Sequence, residues 1–222
     1  MKYAIVVILL VLQPLLVLAE GKTLLIDDFE NGLLPVWQEK VFKDRTAYKV
    51  VHDATGNVLK AQSHGAASAL ILEKKIDLQE FPVLSWRWKV ANVLPKGDAR
   101  SKAGDDYAAR VYVIFPHWFF PKTRTINYIW ANKLPQGSTL PNSFTANAMM
   151  VAVESGEEHV GEWVRESRNV REDYRKIFGE DPPLAGAIAI MTDTDNTGGA
   201  AVAWYDDILF KGDQETSKAQ NE

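Results

Sequence analysis

From Thr23 to Phe210 the chain runs in short apolar or alternating segments broken by Gly, Pro, Asn and Asp. That is the pattern of an all-β sandwich rather than of repeating strand–helix units. Strands are predicted at residues 23–29, 48–52, 58–63, 69–76, 83–90, 107–115, 125–130, 146–155, 162–170, 184–192 and 201–210. Successive strand side chains point to opposite faces. In SWRWKV, Trp86, Trp88 and Val90 therefore share one face, and Ser85, Arg87 and Lys89 share the other. In YAARVYVIF, Arg110 shares a row with Tyr112 and Ile114, so an arginine projects from an otherwise apolar strand and needs a partner.

One helix is predicted, in NVREDYRKIFGEDPP. Asn169 caps it, Glu172 stands three residues later, Val170, Tyr174 and Ile177 or Phe178 line one side, and Gly179 with Pro182 and Pro183 stops it. Two long connections, residues 91–106 and 133–142, are expected to be loops, and long loops on a β scaffold commonly carry binding. The expected architecture is thus an antiparallel β-sandwich of jelly-roll or galactose-binding-like type with one short helix, forming a single domain over residues 20–211.

Residues 1–19 read as a signal peptide: Lys2, an apolar run from Ala4 to Leu18, and Val17 and Ala19 at the cleavage positions. Residues 212–222 read as a disordered tail. The expectation is an exported protein, periplasmic or extracellular, with no membrane span once the leader is removed. The absence of cysteine excludes disulfides, thiolate catalysis and cysteine–zinc sites. A formal net charge of −4 with no basic tract excludes the usual footprint of a nucleic-acid binder.

The stretch AIAIMTDTDNTGGAAVAWYDDILF carries the densest chemistry. Asp193, Asp195 and Thr197 before Gly198 begin like a calcium loop, but position twelve is Trp204 rather than Glu, so no hand-type loop exists. No cofactor is expected; a structural calcium built from distant segments would draw on Asp27, Asp28, Glu30, Asp206 and Asp207. The structural alternative for Asp193, Asp195 and Asn196 is a turn, and like charges at alternate positions then call for a cation such as Arg110, Arg168 or Arg171. A ligand-gripping cleft would unite Asp106, Arg110, Arg168, Asn169, Asp173, Asp193, Asp195 and Asn196.

FPHWFFPKTR holds Trp118, Phe119 and Phe120 between two prolines. Trp118 is a candidate sugar platform, and a lid folded over the core or a membrane contact is the favoured alternative. Trp86, Trp88, Trp163 and Trp204 are expected in the core, and the four scattered histidines do not suggest zinc. Neither a GxSxG nor an HExxH motif occurs. Paired carboxylates for glycoside cleavage would come from Asp106, Glu154, Asp193 and Asp195.

On DYAARVYVIF, INYIWAN, SGEEHVGEWVRESRNVREDYRKIFGEDPP and the acidic stretch above, the chain resembles the bacterial family known as domain of unknown function 3047, over nearly the whole mature sequence. The resemblance implies an exported bacterial protein with no assigned activity. A weaker likeness, to jelly-roll carbohydrate-binding modules, rests on IDDFENGLLPVW and WYDDILF as opening and closing strands that pair side by side. The expected function is non-catalytic binding of a carbohydrate or cell-envelope glycan. The alternatives are a polysaccharide hydrolase or lyase using paired carboxylates, and a structural or interaction protein of the envelope.

Overall fold

The computed structural model describes residues 21–212. The leader expected at 1–19 and all of the expected tail but Gly212 lie outside them. The elements in chain order are β1 (Thr23–Asp27), β2 (Trp37–Lys43), β3 (Ala47–Asp53), β4 (Gly56–His64), β5 (Ala67–Ile76), β6 (Val83–Val90), β7 (Arg110–Phe115), β8 (Arg124–Ala131), β9 (Thr139–Asn142), β10 (Thr145–Ser155), β11 (Val164–Asn169), α1 (Val170–Phe178), β12 (Ala185–Asp193) and β13 (Ala200–Lys211).

Two sheets face each other. The first runs β11-β6-β13-β4-β3, with β1 added on β13; the second runs β2-β5-β12-β7-β8-β10-β9. The first and last described strands pair side by side, Thr23 opposite Lys211. Alternation decides what enters the core between the sheets. Trp86, Trp88, Tyr205 and Leu59 from the first sheet meet Val111, Tyr128, Trp130 and Ile190 from the second. The Trp86 and Tyr128 rings lie 5.4 Å apart, and Trp88 and Trp130 5.9 Å apart. Such aromatic pairs add about 0.5–1.5 kcal/mol each beyond the area they bury.

The sandwich is mainly antiparallel as expected, and three details go beyond the predicted pattern. It is not wholly antiparallel: β10 runs parallel to β8, from Ala148 opposite Thr125 to Ser155 opposite Ala131. The chain leaving β8 passes one place outward to form β9, and the β9–β10 hairpin then returns β10 into the gap. Strands β2 and β9 also lie where none is predicted, and they are the two edges of the second sheet. Finally, residues 91–106 are not a free loop. Ala99 joins Tyr107, Ile129, Leu134 and Met150 in a small apolar cluster, and a side chain at Gly97 would collide with Asn132.

Helix α1 forms where the sequence places it. The Asn169 side chain accepts from the Glu172 amide, and Gly179 at φ 75° ends the helix in the left-handed region. Its buried Tyr174 packs 4.6 Å from the Phe115 ring, which ties it to the end of the sandwich. Among the described residues no helix is long and apolar enough to cross a membrane.

Candidate functional site

The outer face of the second sheet is a trough. Outward positions on its central strands are small or flat (Ala67 and Ala69 on β5, Met191 on β12, Tyr112 on β7), while exposed Phe42 on β2 and Phe144 in the β9–β10 turn rise on either side. The resulting groove encloses about 420 Å³. Pockets of roughly 300–1,000 Å³ that combine apolar walls with a few polar groups are the usual form of a small-molecule site. Lys40 Nζ bridges the Phe42 ring at 5.3 Å and the Phe120 ring at 5.9 Å, so the aromatic rim continues from the groove toward the 116–123 loop.

One end of the groove is polar, because β7, β12 and the segments beside them deliver charge there. Arg110 Nε donates to Asp193 Oδ1 at 2.8 Å, and Nη2 donates to Asp193 Oδ2 and to the Asp105 carbonyl. Both partners are at least nine-tenths buried. The guanidinium carbon sits 4.4 Å from the Tyr107 ring centroid. Asn142 donates to both Asp105 oxygens at 3.0 and 2.8 Å. Asp106 accepts from the Asn196 and Thr197 amides at 3.2 and 2.6 Å, which fixes the acidic turn. Burial, and then the neighbouring Asp106, push the Asp195 carboxyl above its ordinary range.

Carboxylate oxygens of Asp106, Asp193 and Asp195 lie within 4.8 Å of one another and could converge on a cation. Arg110 neutralises Asp193 and backbone amides satisfy Asp106, so two of the three are already engaged. Asn127, 1% exposed, faces the same groove, and its Oδ1 has no hydrogen-bond partner within the protein.

The residues expected in one cleft are divided between two places. Arg110, Asp193, Asp195 and Asn196 line the groove, with Asp106 behind them. Arg168 and Asp173 instead pair with each other at 2.6 and 3.0 Å, with Tyr128 donating to Asp173 at 2.8 Å, where β11 turns into α1. Asn169 is engaged as the helix cap, and Arg171 lies 3.6 Å from Asp181.

The five acids expected to hold calcium do not converge either. Asp27 accepts from the Phe29 amide and Trp37 Nε1, Asp28 from the Glu30 amide, and Glu30 from the Asn57 amide, while Asp206 pairs with Arg87 and Asp207 with Arg165. Each stabilises a turn or neutralises an arginine in place.

The aromatic expectations also change. Trp118 is 92% exposed and Phe120 74%, so the 116–123 segment is not a lid over the core. Trp86 and Trp88 are buried, whereas Trp163 and Trp204 are half-buried on the outer face of the first sheet, beneath Arg87, Lys60 and Lys89.

Two features escape the sequence pattern. Phe42 and Phe144 become groove walls only once β2 and β9 exist. Glu166 lies in a slot of about 320 Å³ at the open sandwich edge, between β11 and β10, where its Oε1 is buried without a partner. Burial, and then the nearby Glu154 carboxylate, push Glu166 up to about 7. Glu154 itself is held by His159 Nδ1 at 2.6 Å and Gln136 Nε2 at 2.9 Å.

Residues 35–209 match the family described as protein of unknown function (DUF3047). No curated protein matches the chain. Among solved structures, a chain from a study of promiscuous carbohydrate-binding modules of the β-sandwich superfamily aligns at 13% identity and TM-score 0.46, covering 86% of this chain and 62% of that one. CBM28, a carbohydrate-binding module specific for non-crystalline cellulose, aligns at 18% identity and TM-score 0.45, covering 87% and 96%. A cleaved adhesin domain of Lys-gingipain from Porphyromonas gingivalis aligns at 15% identity and TM-score 0.41, covering 87% and 99%.

Proposed function

The chain belongs to the DUF3047 family, and from its geometry we propose that it is a non-catalytic glycan-binding protein of the cell envelope or exterior, with the outer face of its second sheet as the binding surface. The observation that carries this is the groove floored by Tyr112 and Met191 and walled by exposed Phe42 and Phe144, with Asp105, Asn142, Asp195 and Asn196 at one end. Flat apolar walls suit the carbon–hydrogen faces of sugar rings, and the amides and carboxylates at the end suit hydroxyls. Binding is favoured over cleavage there because Asp193 is tied to Arg110 and Asp105 to Asn142. A glycosidase needs two carboxyl groups free to face the scissile bond.

The test is retention on an insoluble neutral polysaccharide. The double variant Phe42→Ala/Phe144→Ala is expected to lose retention at least about tenfold while melting as the parent does, since both rings are more than half exposed. Unchanged retention would overturn the assignment.

One observation favours a second reading. Glu166, pushed up to about 7 by burial and by the nearby Glu154, is a carboxylic acid able to donate a proton at neutral pH from a slot open to solvent. A hydrolase centred on that edge would turn over aryl glycosides and lose turnover in Glu166→Gln. No turnover by the parent removes this reading.

A further inference from the structure

We propose that the outer face of the first sheet is a second binding surface, for an acidic polysaccharide whose carboxylates meet a row of lysines held over tryptophan. Strand register sets the row. Lys49 on β3 stands opposite Lys60 on β4, Lys60 opposite Trp204 on β13, and Trp204 opposite Lys89 on β6. Trp163, just before β11, closes it. Alternation turns the row outward, because Leu59, Ala61, Trp88, Val90, Ala203 and Tyr205 beside these residues all enter the core. Lys89 Nζ lies 4.6 Å from the Trp204 ring centroid and 5.0 Å from that of Trp163, and Lys60 Nζ lies 5.6 Å from Trp204.

The charges on this face do not balance. Arg87 is tied to Asp206 and Arg165 to Asp207. Of the three lysines, only Lys89 has a carboxylate near it, Asp53 at 4.0 Å, and Asp53 also accepts from Trp163 Nε1. Five cations thus stand against three acids on a chain whose formal net charge is −4. Like charges directly opposite on neighbouring strands repel, as Lys49 and Lys60 must, and an anionic partner relieves that repulsion.

Strands lie about 4.8 Å apart, so Lys60 and Lys89, one on either side of β13, present ammonium groups from backbones about 10 Å apart with the Trp204 ring between them. A polymer carrying a carboxylate on successive sugar rings can meet both ammonium groups. A nucleic acid would bring phosphates, for which free guanidinium forks are the preferred partners. Both arginines on this face are already held by aspartates, which favours the carboxylate polymer.

The experiment is affinity electrophoresis of the full chain in gels containing polygalacturonate, with single-stranded oligothymidylate measured at the same salt. The parent is expected to be retarded by polygalacturonate, and added salt should weaken the retardation. Lys60→Gln/Lys89→Gln should reduce affinity by about tenfold. Trp204→Ala should weaken binding as well, and because the lysine side chains are partly exposed, the lysine variant keeps the test valid even if Trp204→Ala fails to fold. Phe42→Ala/Phe144→Ala should leave polygalacturonate binding intact, which separates this surface from the groove. Binding indifferent to the lysine substitutions, binding lost in the groove variant, or tighter binding to oligothymidylate would each overturn the proposal.

Discussion

The two outer faces of the sandwich use similar residues to opposite effect. On the first sheet, Trp163 and Trp204 lie under Lys60, Lys89 and Arg87, so the face is filled by large side chains and positively charged. On the second, alanines occupy central outward positions and the phenylalanines stand at the edges, so the face is hollow. Side-chain size at outward strand positions therefore decides whether a sheet face becomes a platform or a trough. The charges follow the same division: in the trough Arg110 and Asp193 are buried and paired, whereas on the platform the cations outnumber the acids.

The variants that probe this division range widely in expected effect. Arg110→Met should be the most damaging, because it strands the Asp193 carboxylate in the protein interior. Breaking a buried pair from one side costs about 3–5 kcal/mol, which denaturant unfolding will register. A loss below about 1 kcal/mol would show that the groove end is wetter than its geometry implies.

Next in size is the pH response of the sandwich edge. Glu166 holds its proton up to about 7 in the folded chain, against an ordinary value of 4.5. The folded state therefore binds more protons than the unfolded state between those values. Its contribution is fully present below pH 4.5 and is lost as pH rises toward 7. Melting curves of the parent should fall over that window relative to Glu166→Gln, and parallel profiles would contradict the assignment.

Smallest is Trp118→Ala. Its ring is 92% exposed and is not among the groove-lining residues, so the melting temperature should stay within about 1 °C and retention of long glycans should fall by only about two- to threefold. A complete loss of retention in a binding assay would move the site from the groove to the 116–123 loop.

Much of this division was legible beforehand, and the illegible part has two causes. The period-two row in SWRWKV put Trp86 and Trp88 together on one face, expected in the core, and that in YAARVYVIF showed Arg110 as a cation in need of a partner. The cap and stop residues placed α1. What the pattern hid were β2 and β9, because edge strands are short, charged or interrupted by proline, as in WQEKVFK and TLPN. Those two strands carry or adjoin Phe42 and Phe144, so the groove walls were hidden with them.

Long-range pairing was the other blind spot. Arg168 has the same appearance in sequence as Arg110, but its carboxylate is five residues away in Asp173, whereas that of Arg110 is 83 residues away in Asp193. Glu166 looked like any acid on an exposed strand, and only its burial at the sandwich edge, with Glu154 close by, makes it unusual.

The most direct test of the groove as the glycan site is a methionine-methyl NMR titration with a soluble neutral hexasaccharide such as cellohexaose. Met191 lies on the groove floor, while Met149 shares the face of β10 that carries Val151 and Val153 into the core and serves as the internal control. The Met191 methyl resonance should move on titration while that of Met149 stays in place. Saturable binding that leaves Met191 unmoved would contradict the assignment.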